Sequence, residues 1–101
     1  MFIPVKVEPE VGELVVGYSL PYIEDGTIFN AKVDYIRGII EKVDEKEKKV
    51  LAVQTTRWIP FSRIMAFTFG GIEIENEDYD DTKRWNEDQA YIKKLRDKKI
   101  K

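Results

Sequence analysis

The residues of this chain that could do chemistry are basic and aromatic side chains in its middle part. The basic candidates come from a charged run at 44–49 and from a turn around Pro60, and they are Lys46, Lys48, Lys49, Arg57 and Arg63. Lysine binds phosphate oxygens as a point charge, whereas arginine can also stack on a base. These residues are therefore candidates for contact with the phosphates and bases of single-stranded RNA.

A structural role is the alternative for each of these residues. The lysines alternate with Asp44, Glu45 and Glu47, so the run can be a soluble turn whose charges cancel. The arginines can form surface ion pairs. Aromatic residues at strand spacing can be base-stacking platforms, or they can belong to the core or to a subunit interface. The aromatic residues concerned are Tyr18, Tyr22, Tyr35, Trp58, Phe61, Phe67, Phe69 and Trp85.

Enzymatic chemistry has few residues to use here. The chain contains no cysteine and no histidine, and serine occurs only at positions 19 and 62. Without cysteine and histidine, the chain lacks a thiol nucleophile, the usual general base that activates a nucleophile, and the commonest transition-metal ligand. The carboxylates of Asp34, Glu41 and Asp44 could form a catalytic set, but nothing in the sequence marks a cleft around them. We therefore expect no catalysis, no cofactor and no metal site.

Charge is high in density and uneven in placement. Charged residues make up 36% of the chain, with a formal net charge of −2, which disfavours bulk binding of nucleic acid but permits a local basic site. Residues 73–81 carry six acids and no base, at a spacing that fits no calcium-binding loop. Residues 93–101 carry six bases and one acid. Both segments can be simply solvated; alternatively, the basic tail contacts phosphate or the acidic segment of a neighbouring subunit.

Apolar residues recur in short runs with the alternation that is typical of β-strands. The clearest case is residues 29–35, in which every second residue is apolar. Pro4 lacks a backbone donor and suits an edge strand at the beginning of the chain. We expect strands at residues 2–7, 13–20, 29–43, 50–56 and 64–69.

Glycine and charged residues separate the expected strands. Asp25-Gly26 predicts a tight turn, and the charged run at 44–49 predicts a hairpin tip. Gly17 predicts a bulge, and Gly38 predicts a bend that lets one strand serve two faces of a sheet. The pattern indicates an all-β fold, a small five-stranded barrel, with an OB-like barrel as the alternative.

A helix is predicted at the C-terminal end, with Asp81 or Thr82 as its cap. Basic residues gather in its last turns, where the helix dipole favours them. Its thin apolar side consists of residues at helical spacing, Trp85, Gln89, Ile92 and Leu95. The predicted organisation is a barrel at 1–72, an acidic linker at 73–81 and a charged helix at 82–101.

The stretch 36–67 resembles the Sm/LSm family. Residues 36–44, Ile-Arg-Gly-Ile-Ile-Glu-Lys-Val-Asp, are similar to the family's first motif, a bent strand with glycine that leads to an Asp-containing loop. Residues 50–53 are similar to the apolar strand after that loop, and residues 59–67 keep the apolar spacing of the second motif. Two positions depart from the family pattern. Lys48 stands where the family has an asparagine that helps to grip the base, and Pro60-Phe61 replace its Arg-Gly pair.

This resemblance implies an Sm/SH3-like barrel whose free edges associate into a homo-oligomeric ring of about five to seven subunits. It also implies RNA binding, or an accessory role in RNA processing, at a pore near the lysine run and the Pro60 turn. By overall similarity the chain further resembles divergent Sm-like proteins attributed to marine phages (cyanophages). The alternative function is a phage structural or protein-interaction module that uses the same ring as a scaffold.

The sequence also bears on location. No apolar run approaches the roughly 20 residues that a bilayer-spanning helix needs. The N-terminal residues lack the basic region and the apolar stretch of a signal peptide. We therefore expect no membrane partner and a cytoplasmic location, which for a phage protein is the host cytoplasm.

Overall fold

The computed structural model describes residues 9–25 and 30–100 of the chain. The strand expected at 2–7 lies outside the described residues, and so do Gly26 of the expected turn, Phe29 and Lys101. The strands are β1 Leu14–Tyr18, β2 Tyr22–Asp25, β3 Asn30–Lys32, β4 Tyr35–Asp44, β5 Lys49–Ala52, β6 Trp58–Pro60, β7 Ile64–Phe69 and β8 Ile72–Glu75. A 3₁₀ turn at Phe61–Arg63 joins β6 to β7, and helix α1 spans Asp81–Ile100.

Six strands form one antiparallel sheet in the order β6-β5-β4-β1-β7-β8, and β2 and β3 form a separate hairpin. The fold is thus a small antiparallel β domain with one C-terminal helix, as the alternation of apolar residues predicts. The sheet is open, however, and ends at β6 on one side and at β8 on the other. It is therefore not a closed barrel of five strands.

Strand β8, like β2 and β6, is an addition to the predicted set of strands. Residues 73–75, expected in an acidic linker, belong to it, and it pairs with β7 through Phe69 opposite Ile72 and Phe67 opposite Ile74. The side chain of Ile74 lies against the core, while the two glutamates beside it are exposed. This alternation has the period of two that a strand requires. The acidic segment that remains between β8 and α1 is correspondingly short.

Strand β4 serves two neighbours, as predicted, but for a different reason. Its first half, Tyr35–Ile39, pairs with β1, and its second half pairs with β5, with a shift of register between Ile40 and Lys42. Gly38 is not required for this bend, because a Cβ added there would meet only the Cβ of Ala52, at an ordinary 3.5 Å. The single long strand expected at 29–43 is wrong, since it is divided between β3 and β4.

Gly17 in β1 lies at the bulge that its sequence context predicts. The register between β1 and β7 shifts between Val16 and Gly17. A Cβ at Gly17 would lie 2.7 Å from the carbonyl oxygen of Arg63 and 3.0 Å from Cγ2 of Ile59. The bulge thus brings the backbone of β1 directly against the 3₁₀ turn. Beside it lies the core, formed by Val15, Ile36, Ile40, Val50, Ala52, Ile59, Ile64 and Phe67.

Helix α1 begins after Asp80, whose Oδ1 accepts a hydrogen bond from the backbone N–H of Lys83 at 3.0 Å. Asp80 is therefore the N-cap, in place of the predicted Asp81 or Thr82. The predicted apolar side is only partly covered, since Trp85 is 55% exposed. Among the residues of α1 whose burial the structure describes, 81–98, the buried one is Asp88. No helix in the described part of the chain combines the length and the apolar character needed to cross a membrane.

Candidate nucleic-acid interface

The structure places the five basic residues predicted to contact RNA in three different surroundings. Lys46, Lys48 and Lys49 lie at the turn between β4 and β5. Arg57 lies just before β6 and lines an open cleft. Arg63 lies in the interior, at the end of the 3₁₀ turn. Only the first three therefore form a single surface.

Two of the lysines lie over aromatic rings. Nζ of Lys48 is 5.9 Å from the ring centroid of Phe61, and Nζ of Lys49 is 4.9 Å from that of Trp58. Both distances are within the range of a cation–π contact. Together with the exposed Lys46 of the same turn, they form a surface that we call the lysine–aromatic edge, defined by Lys46, Lys48, Lys49, Trp58 and Phe61.

The pairing of β5 with β6 fixes this surface. Val50 of β5 is buried and lies opposite the buried Ile59, so their neighbours in sequence point away from the core. Lys49 lies opposite Pro60 in this register. The backbone N–H of Phe61 donates to the carbonyl oxygen of Lys48 at 2.8 Å. The lysines and the aromatic rings are therefore held side by side at the β6 edge of the sheet.

Acidic residues temper the positive charge of the lysine–aromatic edge. The turn contains Glu45 and Glu47, and Oδ1 of Asp44 accepts a hydrogen bond from the backbone N–H of Glu47 at 3.0 Å. Lys48 has a φ of 55°, a left-handed conformation that closes the turn. The turn is thus a hairpin tip, as predicted, and its local net charge is close to zero.

Arg63 does not join this surface, which corrects its predicted position. It is only 4% exposed. Its Nη2 donates to the carbonyl oxygen of Ser19 at 2.9 Å and lies 2.7 Å from Oδ1 of Asp88, while its Nε donates to the carbonyl oxygen of Tyr18 at 3.3 Å. The Asp88 contact is an ion pair without an aligned hydrogen bond, because Oδ1 of Asp88 accepts none from the described residues. Arg63 thus joins the helix to β1.

Arg84 holds the other oxygen of Asp88. Its Nη1 donates to Oδ2 of Asp88 at 2.6 Å, and its Nε donates to the hydroxyl oxygen of Tyr79 at 2.9 Å. Its guanidinium carbon lies 4.0 Å from the ring centroid of Tyr18. Burial raises the pKa of Tyr79 to about 12, and the hydrogen bond that its hydroxyl donates to Asp81 acts in the same direction. The first turns of α1 are thereby fixed to β1 by polar contacts rather than by apolar ones.

Arg57 is half-buried at a second location, apart from the lysines. The cleft that it lines has a volume of about 450 Å³, and its wall consists of Asp34, Tyr35, Ile36, Arg37, Gln54, Thr55, Thr56 and Arg57. Arg57 is a residue that the sequence predicts for the site, whereas Arg37, which the β4 alternation places on the outer face, is not. The alternation of Tyr35, Ile36 and Arg37 in the sequence indicates that Arg37 points outward. That Arg37 lines a cleft depends on the β5–β6 connection, which the alternation does not predict.

Other candidate residues have structural positions. Phe67 belongs to the core, Tyr18 is surrounded by Tyr35, Tyr79 and Arg84, and Phe69 is exposed beside β8. Among the described residues, no group of three or more histidine, cysteine, aspartate or glutamate side chains is arranged to hold a metal ion.

No protein-family model, curated protein or solved structure matches this chain significantly. The resemblance to the Sm/LSm family therefore rests on the residues between 36 and 67 alone, and it stays a prediction. Any function must be argued from the surfaces described above.

Proposed function

We propose that this protein is a non-catalytic, Sm-like RNA-binding protein that acts in RNA handling or processing as an accessory factor. The observation that carries the proposal is the lysine–aromatic edge, in which two lysine ammonium groups lie over two aromatic rings. The bent β4 strand, shared between β1 and β5, supports the assignment to an Sm/SH3-like arrangement of strands.

Such an edge suits a flexible single strand better than a duplex. Aromatic rings offer stacking surfaces to unpaired bases, and lysines contact the phosphates between them. In the free protein the lysines lie over Phe61 and Trp58, and Phe61 also packs against the core. In the complex the lysines would move to phosphates and leave the exposed part of each ring to bases. Because Glu45 and Glu47 share the turn, we expect weak binding that falls steeply as salt increases.

Association of several copies would multiply these weak contacts. The outer edges of β6 and β8 pair with no described strand, and unpaired edges favour association with another copy. The β6 edge lies beside Lys48 and Lys49, whereas β8 exposes Glu73 and Glu75. We propose that β6 of one copy meets β8 of the next and that repetition closes a ring. A ring would present one lysine–aromatic edge per subunit, which raises avidity for a strand.

Fluorescence anisotropy with short uridine-rich and adenine-rich RNA tests the proposal. We expect the triple variant Lys46→Gln, Lys48→Gln, Lys49→Gln to bind at least about tenfold more weakly at low salt, since several phosphate contacts are lost. The matched control removes three exposed charges from the helix, with Lys93→Gln, Lys94→Gln and Lys98→Gln, and it should bind as the unaltered protein does. Equal binding by the unaltered protein and the edge variant would disprove the role of the edge.

The alternative, a protein-interaction module, has one observation in its favour. Trp85 and Tyr91 are large, exposed and located on α1, and aromatic residues are enriched at protein interfaces. A partner that stays bound after nuclease treatment, and that is lost in the variant Trp85→Ala, would favour this function over RNA binding.

A further inference from the structure

The cleft beside Arg57 is a second site, distinct from the lysine–aromatic edge. It lies where the beginning of β4 meets the connection between β5 and β6. Its volume of about 450 Å³ falls within the range of roughly 300–1,000 Å³ typical of small-molecule sites. We call it the arginine cleft, and its polar wall includes Arg37, Arg57, Tyr35 and Gln54.

Arg57 is held in position by an aromatic ring. Its guanidinium carbon lies 3.4 Å from the ring centroid of Tyr22. The hydroxyl of Tyr22 in turn donates to Oδ1 of Asp34 at 2.9 Å, which fixes the ring. The N–H groups of a guanidinium stacked in this way lie in its own plane, parallel to the ring, and point outward from its edge, where they can bind a phosphate in bidentate fashion.

The guanidinium groups of the cleft have unused donors. Neither Arg37 nor Arg57 forms a hydrogen bond or an ion pair with a described residue. The nearby Glu24 is paired with Lys32, so Asp34 is the one acid in the wall of the cleft. Two positive charges against one negative charge favour an anionic ligand.

The remaining wall is suited to a base. Tyr35 is 56% exposed. Its ring makes an edge-to-face contact with the ring of Tyr18, with 5.4 Å between the centroids, and this contact holds it in place. An exposed, fixed aromatic ring is a stacking platform. Gln54 has a φ of 64°, a strained conformation of the kind that collects at ligand sites, and its amide can both donate and accept.

We propose that the arginine cleft binds a nucleoside monophosphate unit, with its phosphate on Arg37 and Arg57 and its base on Tyr35. The unit can come from a free nucleotide or from one residue of an RNA strand, because both present the same phosphate and base. This inference goes beyond the function of the lysine–aromatic edge, since a free nucleotide would fit the cleft with no RNA on the edge.

Nuclear magnetic resonance titrations of the full chain test the inference. Uridine monophosphate, adenosine monophosphate, inorganic phosphate, uridine and a short oligouridylate would be added separately. We expect the amide signals of Gln54, Thr55 and Thr56 to shift with either nucleotide, at concentrations at least tenfold below those needed for phosphate or uridine. If inorganic phosphate binds as tightly as the nucleotides, or if none of these signals shifts, the inference is overturned.

Variants separate this site from the lysine–aromatic edge. Arg57→Gln should weaken nucleotide binding at least tenfold, and Arg57→Lys should restore only part of it because lysine lacks the planar fork. Thr56→Asp adds a negative charge at an exposed position and should have the same effect without touching the Tyr22 stack. It therefore serves as the test if Arg57→Gln does not fold. Unchanged nucleotide binding by a folded Thr56→Asp protein would overturn the inference.

Comparing an oligouridylate with free nucleotides in the same variants shows whether the ligand is part of an RNA strand or a free nucleotide. If the oligouridylate binds more tightly than the free nucleotides and loses affinity in Thr56→Asp, the cleft holds one residue of a strand. If free nucleotides bind as tightly as the oligouridylate, the cleft holds a free nucleotide. Both results support the site. Loss of RNA binding in the lysine variant with nucleotide binding intact would show that the two surfaces act separately.

Discussion

At Gly17, the backbone of β1 approaches the 3₁₀ turn so closely that only a hydrogen atom fits on its Cα. An added methyl group would lie 2.7 Å from a backbone oxygen, which has no means of moving aside alone. We expect Gly17→Ala to lower the free energy of unfolding by about 2 kcal/mol through this overpacking. Urea denaturation followed by circular dichroism would measure the change.

Gly38→Ala is the matched control for this substitution. It lies on β4, and its Cβ would meet another Cβ at 3.5 Å. Its stability should stay within about 0.5 kcal/mol of that of the unaltered protein, or rise slightly, because alanine reduces the freedom of the unfolded chain. Equal losses for both variants would contradict the account of the bulge.

Glu13 predicts a dependence of stability on pH. The Thr68 hydroxyl donates to its Oε2 at 2.6 Å, and the backbone N–H of Gly70 donates to its Oε1 at 2.8 Å. The hydrogen bond from Thr68, followed by that from Gly70, holds the pKa of Glu13 below its ordinary 4.5. The unfolded chain then binds its proton at a higher pH than the folded one, so stability falls with decreasing pH.

The Glu13 contribution is complete above pH 4.5 and is lost as the pH falls through the lowered pKa of the folded state. In the variant Glu13→Gln the side chain has no carboxyl group to titrate. The stability of this variant should therefore vary less with pH over that range. Denaturation at a series of pH values would show it. Glu41→Gln on the exposed face of β4 is the control, and a Glu13→Gln profile that parallels it and the unaltered protein would refute the assignment.

At the scale of elements, the ion pair between Arg63 and Asp88 connects the helix to the sheet. Asp88 is only 2% exposed, and each of its oxygens lies against a guanidinium group. Replacing one partner of such a pair leaves the other charge buried. We expect Asp88→Asn to lower the free energy of unfolding by about 3 kcal/mol.

Urea denaturation and the helical signal in circular dichroism would measure the effect of Asp88→Asn. Glu87→Gln, one residue earlier on an exposed part of α1, should change stability by less than about 0.5 kcal/mol. A loss for Asp88→Asn no larger than that for Glu87→Gln would show that the helix is fixed by other contacts.

The local sequence determined some elements and left others open. Alternation and turn residues predict β1, β7 and the β4–β5 hairpin, because both signals lie within a few residues of each strand. Strand β8 was missed because its two isoleucines stand among acids that indicate solvent. The burial of Arg63 was missed because its partner lies on α1, far away in sequence, and only the Arg84–Asp88 spacing of i, i+4 pointed to that region.

Of the two candidate sites, one could be predicted from the local sequence and the other could not. Lys48 and Lys49 could be selected from the sequence because a hairpin tip and an adjacent aromatic turn are local features. The arginine cleft could not, since it depends on the β2–β3 hairpin, which places Tyr22 beneath Arg57. Residues from three separate segments meet there, and the spacing of residues along the chain does not predict this meeting.

At the scale of the whole molecule, the described residues form an elongated body of 56 × 29 × 21 Å, and the ion pairs of Asp88 with Arg63 and Arg84 lie in the first half of the helix. The β6 edge is flanked by lysines and the β8 edge by glutamates. One molecule thus presents two unlike edges, an acidic one at β8 and one at β6 where lysines stand beside a turn of nearly zero net charge. Contacts between unlike edges repeat from copy to copy, and they close a ring when the rotation between neighbouring copies divides a full turn.

Charge exchange tests this assembly. Glu73→Lys with Glu75→Lys places lysines at both edges, and we expect the association constant to fall at least about tenfold, because lysines would then face lysines. Adding Lys48→Glu and Lys49→Glu to that variant reverses both edges and should restore association. Analytical ultracentrifugation would give the masses, with Asp97→Lys on the far part of α1 as the control. A protein that is monomeric at all concentrations, or an exchanged variant that does not recover, would show that the two edges do not meet.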